Sequence, residues 1–297
     1  MSCLDPILAV SICKNSDDKH VLRFLPASEI NDIDLKKWVY GSDEVFLLPC
    51  MKCKPCRDAY AKDWAVRCTL EAQTHKYNYF LTLTYDDKHV AFGSKSDFTS
   101  FLKKLGYELT GKPNRPKFFA CMEKGEVTNR LHFHCILFLD HPLVLKSPVK
   151  LGSFYHYSCD LLNSCWSNGF VDVAEFESDC ARYVAKYSTK QGNCFMSRNL
   201  AKNYYLEHRD QIVKDDFKVY GSFFGKDHVN IPSCFVRWFV EDHVSDIDSF
   251  RLTLKKVQKL SFLSELHASR GKESDLIREK IVLFLKHDAF TKERSEL

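Results

Sequence analysis

Three short stretches of this sequence combine residue types and spacings that could do chemistry. In Leu131-His-Phe-His-Cys-Ile-Leu-Phe138, two histidines stand two apart in an otherwise apolar run. On a strand, side chains at i and i+2 share a face, so His132 and His134 project together while Phe133 points the other way. Imidazoles in an apolar setting need partners, and two side by side make a ready pair of metal ligands. The plainer alternative is two hydrogen-bonded histidines near a sheet end. A hairpin turning near residue 127 brings Glu123 opposite His132, with Glu126 as a competing carboxylate placed in the turn. Two histidines and one carboxylate hold a divalent cation and leave positions for water and phosphate oxygens.

The second stretch is Arg182-Tyr-Val-Ala-Lys-Tyr-Ser-Thr-Lys190. Tyr183 and Tyr187 are four apart and stack on one face of a helix. Lys186 and Lys190 follow each tyrosine by three residues, on or near that face. A nearby cation helps to stabilise a phenolate and to hold a phosphate. The alternative is an aromatic pair that packs a helix onto the sheet. The third stretch, Cys50, Cys53 and Cys56, reads C-x2-C-x2-C. Three thiolates at this spacing close on one tetrahedral ion, for which Zn2+ is the default. An iron–sulfur site lacks its usual fourth cysteine three residues on, and plain thiols in a reducing compartment are the structural alternative.

The elements that must position these groups follow from periodicity. Arg57 to about His75 reads as a helix, and Tyr79 to Tyr85 as an alternating strand ended by a turn at Asp86-Asp87. Ser96-Asp97 reads as the cap of a helix carrying Phe98, Phe101, Leu102 and Leu105. Lys117 to Glu123 and Leu131 to Leu139 form an antiparallel hairpin, and Phe170 to Phe176 a further strand. Glu177-Ser178-Asp179 caps a helix running to about Lys190. The last 55 or so residues read as charged helices. The domain boundaries this suggests are 1–76 for the cysteine knot and first helix, 77–239 for the core, and 240–297 for a helical appendage.

Composition restricts the class. At 297 residues, with 45% hydrophobic and 28% charged positions, the chain can bury a sizeable core. No apolar run is long enough for a bilayer span, and the run Ile7 to Cys13 lacks a basic stretch before it, so neither signal peptide nor membrane partner is expected. The net charge of +4 is only mildly basic, so its distribution carries the argument. No acidic residue falls between Asp179 and Glu207, whereas Arg182, Lys186, Lys190, Arg198 and Lys202 do. Lys103, Lys104, Lys112, Arg115 and Lys117 form a second cluster, and Lys52, Lys54 and Arg57 a third among the cysteines. These point towards a phosphate backbone. Thirteen cysteines without a secretory signal imply thiols in a reducing compartment.

Phe80-Leu-Thr-Leu-Thr84, His132-Phe-His134 and Tyr183-Val-Ala-Lys-Tyr187 together resemble the three motifs of rolling-circle replication initiators of the HUH endonuclease superfamily. The fuller order adds the cysteines with Arg57, Trp64-x-x-Arg67, Glu123-x-Gly125-Glu126 and Phe176-Glu-Ser178. In that order the chain is similar to the replication initiation proteins of small single-stranded-DNA microviruses, the gokushovirus group. The likeness covers about residues 3 to 239. It departs at Met51, where the family usually has glycine, and near Asn129, where a small residue is usual.

The resemblance implies an α+β fold with a central antiparallel sheet flanked by helices, an N-terminal cysteine-rich zinc knot and a helical C-terminal tail. It implies that Tyr183 and Tyr187 are alternating nucleophiles, and that His132, His134 and Glu123 bind Mg2+ or Mn2+. Lys186, and less directly Lys190, would assist at the phosphate, and Phe80 to Thr84 would be scaffold. Cys3 matches a family cysteine and is the chosen fourth zinc ligand, with Cys68 and Cys13 as weaker choices. The activity implied is a metal-dependent, site-specific endonuclease and strand-transferase. It would leave a 5′-phosphotyrosine link and a 3′-OH primer, and later rejoin the strand to release circular single-stranded DNA. The expected partners are single-stranded and origin DNA. No G-x-x-x-x-G-K-[ST] is present, so a host helicase as well as a host polymerase is expected, in the host cytoplasm. The competing expectation is a zinc-stabilised nucleic-acid-binding protein without catalysis, whose histidines and tyrosines only stack or pack.

Overall fold

The structure is a computed structural model that describes residues 7–16, 20–25, 45–125, 130–152, 154–177, 180–185, 194–215, 218–223 and 226–243. Cys3, Glu126, Asn129, Ser178, Asp179, Lys186, Tyr187, Lys190 and the C-terminal helices expected beyond residue 243 lie outside these. Two compact units divide the chain, one from Met1–Ala59 and Val240–Leu297, the other from Tyr60–Phe239.

In the first unit, β1 (Ile7–Lys14), β2 (His20–Leu25) and β3 (Val45–Leu48) form an antiparallel sheet in the order β2-β1-β3. The apolar run at Ile7 to Cys13 is thus the middle strand of a sheet. The cysteine knot follows β3 and leads into helix α1 (Lys54–Ala72). The helix begins three residues before the expected Arg57, because the Cys53 carbonyl accepts the Arg57 N–H at 3.0 Å. It ends before His75, where Thr74 and His75 donate to the carbonyls of Glu71 and Ala72 in a tighter i to i−3 turn.

The second unit is built on seven strands: β4 (Tyr77–Tyr85), β5 (Lys117–Lys124), β6 (Leu131–Leu139), β7 (Lys146–Leu151), β8 (Phe154–Ser158), β9 (Gly169–Glu175) and β10 (Cys194–Met196). Their spatial order is β10-β5-β6-β4-β9-β8-β7, and every neighbouring pair is antiparallel. The expected mixed α+β class with a central antiparallel sheet and flanking helices is therefore present.

Strand β6 alternates between two cores, which is why its sequence is apolar nearly throughout. Phe133, Cys135 and Leu137 face α2 (Lys95–Thr110) and α3 (Asp160–Cys165), packing with Phe98, Phe101 and Trp166. Ile136 and Phe138 face the opposite way, among Ala65 and Cys68 of α1 and Ala181 and Val184 of the helical residues 180–185 (α4). The cap of α2 is Ser94 rather than the expected Ser96. Asp97 is the third helical residue, and its Oδ2 accepts the Ser94 N–H at 2.9 Å, as in a capping box.

A fully buried carboxylate ties α1 to this sheet. Glu71 pairs with Lys117 Nζ at 2.6 Å and His75 Nε2 at 2.9 Å, and also accepts the Ala201 N–H. Burial pushes its carboxyl up, but the hydrogen bonds of His75, Lys117 and Ala201 outweigh that and hold it below the ordinary range. Lys117, counted in sequence with a basic surface cluster, is thereby committed to a buried partner. The chain then continues through α5 (Lys202–Lys214), the hairpin β11 (Lys218–Phe223) and β12 (Lys226–Asn230), and α6 (Ser233–His243). Tyr205, Val219, Val229, Phe235 and Trp238 of these elements close a smaller core over Val66 and Leu70.

Candidate active site

The β5–β6 hairpin places Glu123 directly opposite His132, the register anticipated from the turn position. The Glu123 Oε1 atom lies 2.7 Å from His132 Nε2 and 3.0 Å from His134 Nε2. One carboxylate oxygen and two imidazole nitrogens therefore converge on a point at the end of the sheet. Their far nitrogens are engaged elsewhere. His132 Nδ1 donates to the Arg130 carbonyl at 3.0 Å, and His134 Nδ1 meets Thr82 Oγ1 at 3.2 Å. The His132 bond fixes the tautomer and turns the Nε2 lone pair towards Glu123.

A lone pair facing a carboxylate is unfavourable unless a proton or a cation lies between them. The donor set thus fits a divalent cation of the borderline-to-hard kind. Burial raises the Glu123 carboxyl, but hydrogen bonds and charge from His134 and His132 prevail and hold it below the ordinary range. An ionised carboxylate is what a cation requires.

Two supports here went unrecognised in the sequence. Thr82 lies in the strand expected as scaffold, but its contact with His134 depends on the β4–β6 register, Thr82 opposite His134. Arg130 donates to the Tyr85 carbonyl at 2.9 Å and pairs with Asp87, clamping the foot of β6 to the end of β4. No pattern within the sequence announces that contact.

Tyr183 on α4 comes to the same face. Its ring meets that of His134 edge-on, with centroids 5.4 Å apart, and that of Phe80 at 6.1 Å. Phe80 stacks on His134 at 5.7 Å. Tyr183 is 44% exposed. The structure thus gathers Glu123, His132, His134 and Tyr183, while Tyr187, Lys186 and Lys190 lie outside the described residues.

In the other unit, the ligand atoms of Cys50, Cys53 and Cys56 all lie within 4.8 Å of one another, and all three residues are buried. The N–H groups of Lys52 and Cys53 point at Cys50 Sγ at 3.4 and 3.3 Å, which favours a thiolate there. Cys56 sits in the first turn of α1, where the helix dipole adds to that preference. Met51 holds a left-handed backbone, φ 59°, at the position where the resembling family has glycine. Three convergent thiols with amide donors fit a tetrahedral soft cation. Cys68 packs in the sheet core three turns along α1, and burial pushes its thiol far up. Cys13 is exposed and outside the group. No helix among the described residues is long and apolar enough to cross a membrane.

Comparison with known proteins agrees with this reading. The family model of the replication-associated protein ORF2 matches residues 78–192. The chain is 26% identical over 262 residues to the replication-associated protein ORF2 of Spiroplasma virus 4, covering 80% of each. It is 33% identical over 168 residues to replication-associated protein VP4 of Bdellovibrio phage phiMH2K, covering 52% of this chain and 53% of that one. Identity to replication-associated protein ORF4 of Chlamydia phage 1 is 32% over 177 residues, covering 55% and 43%. The match thus spans about half or less of the last two relatives. No solved structure matches. The resemblance drawn from the motifs is thereby borne out, and this chain is a relative of the microviral replication-associated proteins.

Proposed function

We propose that the chain initiates rolling-circle replication as an HUH-type endonuclease that nicks the viral origin through a tyrosine. The observation that carries this reading is Tyr183 resting edge-on against His134, one of the two histidines that converge with Glu123. Glu123, His132 and His134 would hold Mg2+ or Mn2+. A cation bound there withdraws charge from the oxygens of the scissile phosphate.

The chain's own residues supply the rest. The Tyr183 hydroxyl gives up its proton and attacks the phosphorus, forming a phosphotyrosine ester. The bond to the 3′ oxygen breaks, and that oxygen takes a proton to become a 3′-OH primer. One phosphate ester replaces another, so the strand can be rejoined later without an external energy source. A second tyrosine, Tyr187, would cut the regenerated origin and release a circle, with Lys186 and Lys190 offsetting charge at the phosphate. The cysteine cluster would hold Zn2+ as a structural staple, with Cys3 as fourth ligand. Unwinding and synthesis would fall to a host helicase and polymerase in the host cytoplasm.

The test is cleavage of labelled single-stranded DNA carrying candidate origins, with Mn2+ or EDTA, by the wild type and by Tyr183→Phe/Tyr187→Phe. The expected result is a metal-dependent covalent adduct that the double variant does not form. Binding without any adduct in Mn2+ would overturn the nickase in favour of a non-catalytic binding protein.

A further inference from the structure

The sheet face that carries Glu123 and the two histidines continues past β4 onto β9 and β8. His132 pairs with Thr84, and Thr84 with Phe170; His134 pairs with Thr82, and Thr82 with Asp172. Directly paired residues of antiparallel strands share a face, and the Thr82–His134 contact confirms it for the second row. Two strand spacings put Phe170 and Asp172 about 10 Å from the histidines.

Phe170 is 65% exposed despite its place in the sheet. Burying a phenylalanine would yield about 1.5–3 kcal/mol, so an outward ring here forgoes stability. It is not an isolated case. Phe154 shares a face with His156 two residues on, and Leu151 and Val149 pair with them across the hairpin, all three apolar side chains exposed. Close backbone approach sets the ring's position. A Cβ on Gly169 would lie 2.2 Å from the Thr84 carbonyl oxygen, so only glycine lets β9 start this tightly against β4. Next to the ring, Asp172 is oriented by His156, whose Nδ1 meets Oδ2 at 2.6 Å, while the Asp172 side chain stays 42% exposed.

We infer that Phe170 and Asp172 form a base-reading subsite for the nucleotide beside the cleaved phosphate. A base stacks on the Phe170 ring, and Asp172 accepts a hydrogen bond from an exocyclic amino group on its edge. Cytosine, adenine and guanine offer such a group; thymine does not, and is disfavoured. The inference rests on the nickase reading above and adds the two residues that select the sequence at the cut.

The test uses the full chain, Mn2+ and a single-stranded DNA pool randomised around candidate cut sites, with the covalent products sequenced. Wild type should cut with thymine depleted at one flanking position. Phe170→Ala should raise KM between roughly 5-fold and 150-fold, the range expected for one lost stacking platform, with kcat changed less, and Phe170→Trp should restore it. Asp172→Asn, whose amide can also donate, should remove the bias against thymine. Mn2+ titration and thermal unfolding should be the same for all of these proteins, since both positions are exposed. If wild type cuts the pool and the variants match its KM and base profile, the subsite is overturned while the nickase stands. If wild type forms no adduct with any member of the pool, both readings fall.

Discussion

Glu123 and His132 face each other across the β5–β6 hairpin at 2.7 Å, and His132 has already committed its other nitrogen to the Arg130 carbonyl. A ring held in that way presents an acceptor to an acceptor, an arrangement relieved by a cation. Glu123→Gln keeps the shape and removes the charge. It is expected to weaken Mn2+ binding by at least tenfold, because a neutral amide oxygen is the poorer ligand, while Tm changes little. Calorimetric titration of Mn2+ into the full chain decides the point. Undiminished affinity in Glu123→Gln would remove the carboxylate from the cation site.

Thr82 should matter through His134 alone. Its hydroxyl lies 3.2 Å from His134 Nδ1 and has no contact with the convergent ligand atoms. Removing such an outer partner typically lowers metal affinity 10- to 100-fold. Thr82→Val, nearly the same in volume, should show that loss, and Thr82→Ser should not. Equal Mn2+ affinity for Val and Ser would show that the hydroxyl does not orient the ring.

How far the sequence showed this site depended on whether a contact was local. Glu123 opposite His132 was legible because nine residues and one turn set the register of a hairpin whose His-x-His motif had to share a face. The contacts of Thr82 and Arg130 were hidden, since they depend on β4 pairing with a strand some fifty residues away. The β7–β8 hairpin was missed for another reason. Every residue of β7 is exposed, so Lys146–Leu151 carries no buried–exposed alternation to read. Glu71 left no signal either, because its partners Lys117 and Ala201 are 46 and 130 residues distant.

That Glu71 cluster predicts a pH dependence of stability. The depressed Glu71 carboxyl contributes stability above its ordinary value of 4.5, and this is lost as pH falls through the lower folded value. His75 loses to burial but gains more from Glu71 and Asp140, so its imidazole is raised. Its contribution is complete below the ordinary 6.5 and disappears as pH rises through the higher folded value. Together they are worth most between about pH 4.5 and 6.5. Glu71→Gln leaves Lys117 and His75 without their anion and should cost about 3 kcal/mol in that window. Thermal unfolding of both proteins from pH 3 to 9 should show the gap between them narrow at each end. A gap that stays constant with pH would mean that packing, not charge, is what Glu71 provides.

Met51 gives the cysteine cluster a graded test. Its left-handed backbone, φ 59°, costs a side-chain-bearing residue about 1–2 kcal/mol, and glycine escapes that strain. Glycine's extra freedom in the unfolded chain takes back about 0.5–1 kcal/mol. The turn also aims the Lys52 and Cys53 N–H groups at Cys50 Sγ, so loosening or tightening it should register at the bound ion. Met51→Gly is therefore expected to hold Zn2+ as well as wild type, or up to several-fold more tightly. Met51→Val, with a β-branched side chain in the same backbone, should release it faster, and Cys53→Ala should not retain it. Zinc content after purification and the rate of Zn2+ transfer to a chromogenic chelator read all three. Equal release from the Gly and Val variants would show that the turn at Met51 does not govern the cluster, and zinc-free wild type would leave the three thiols as ordinary core cysteines.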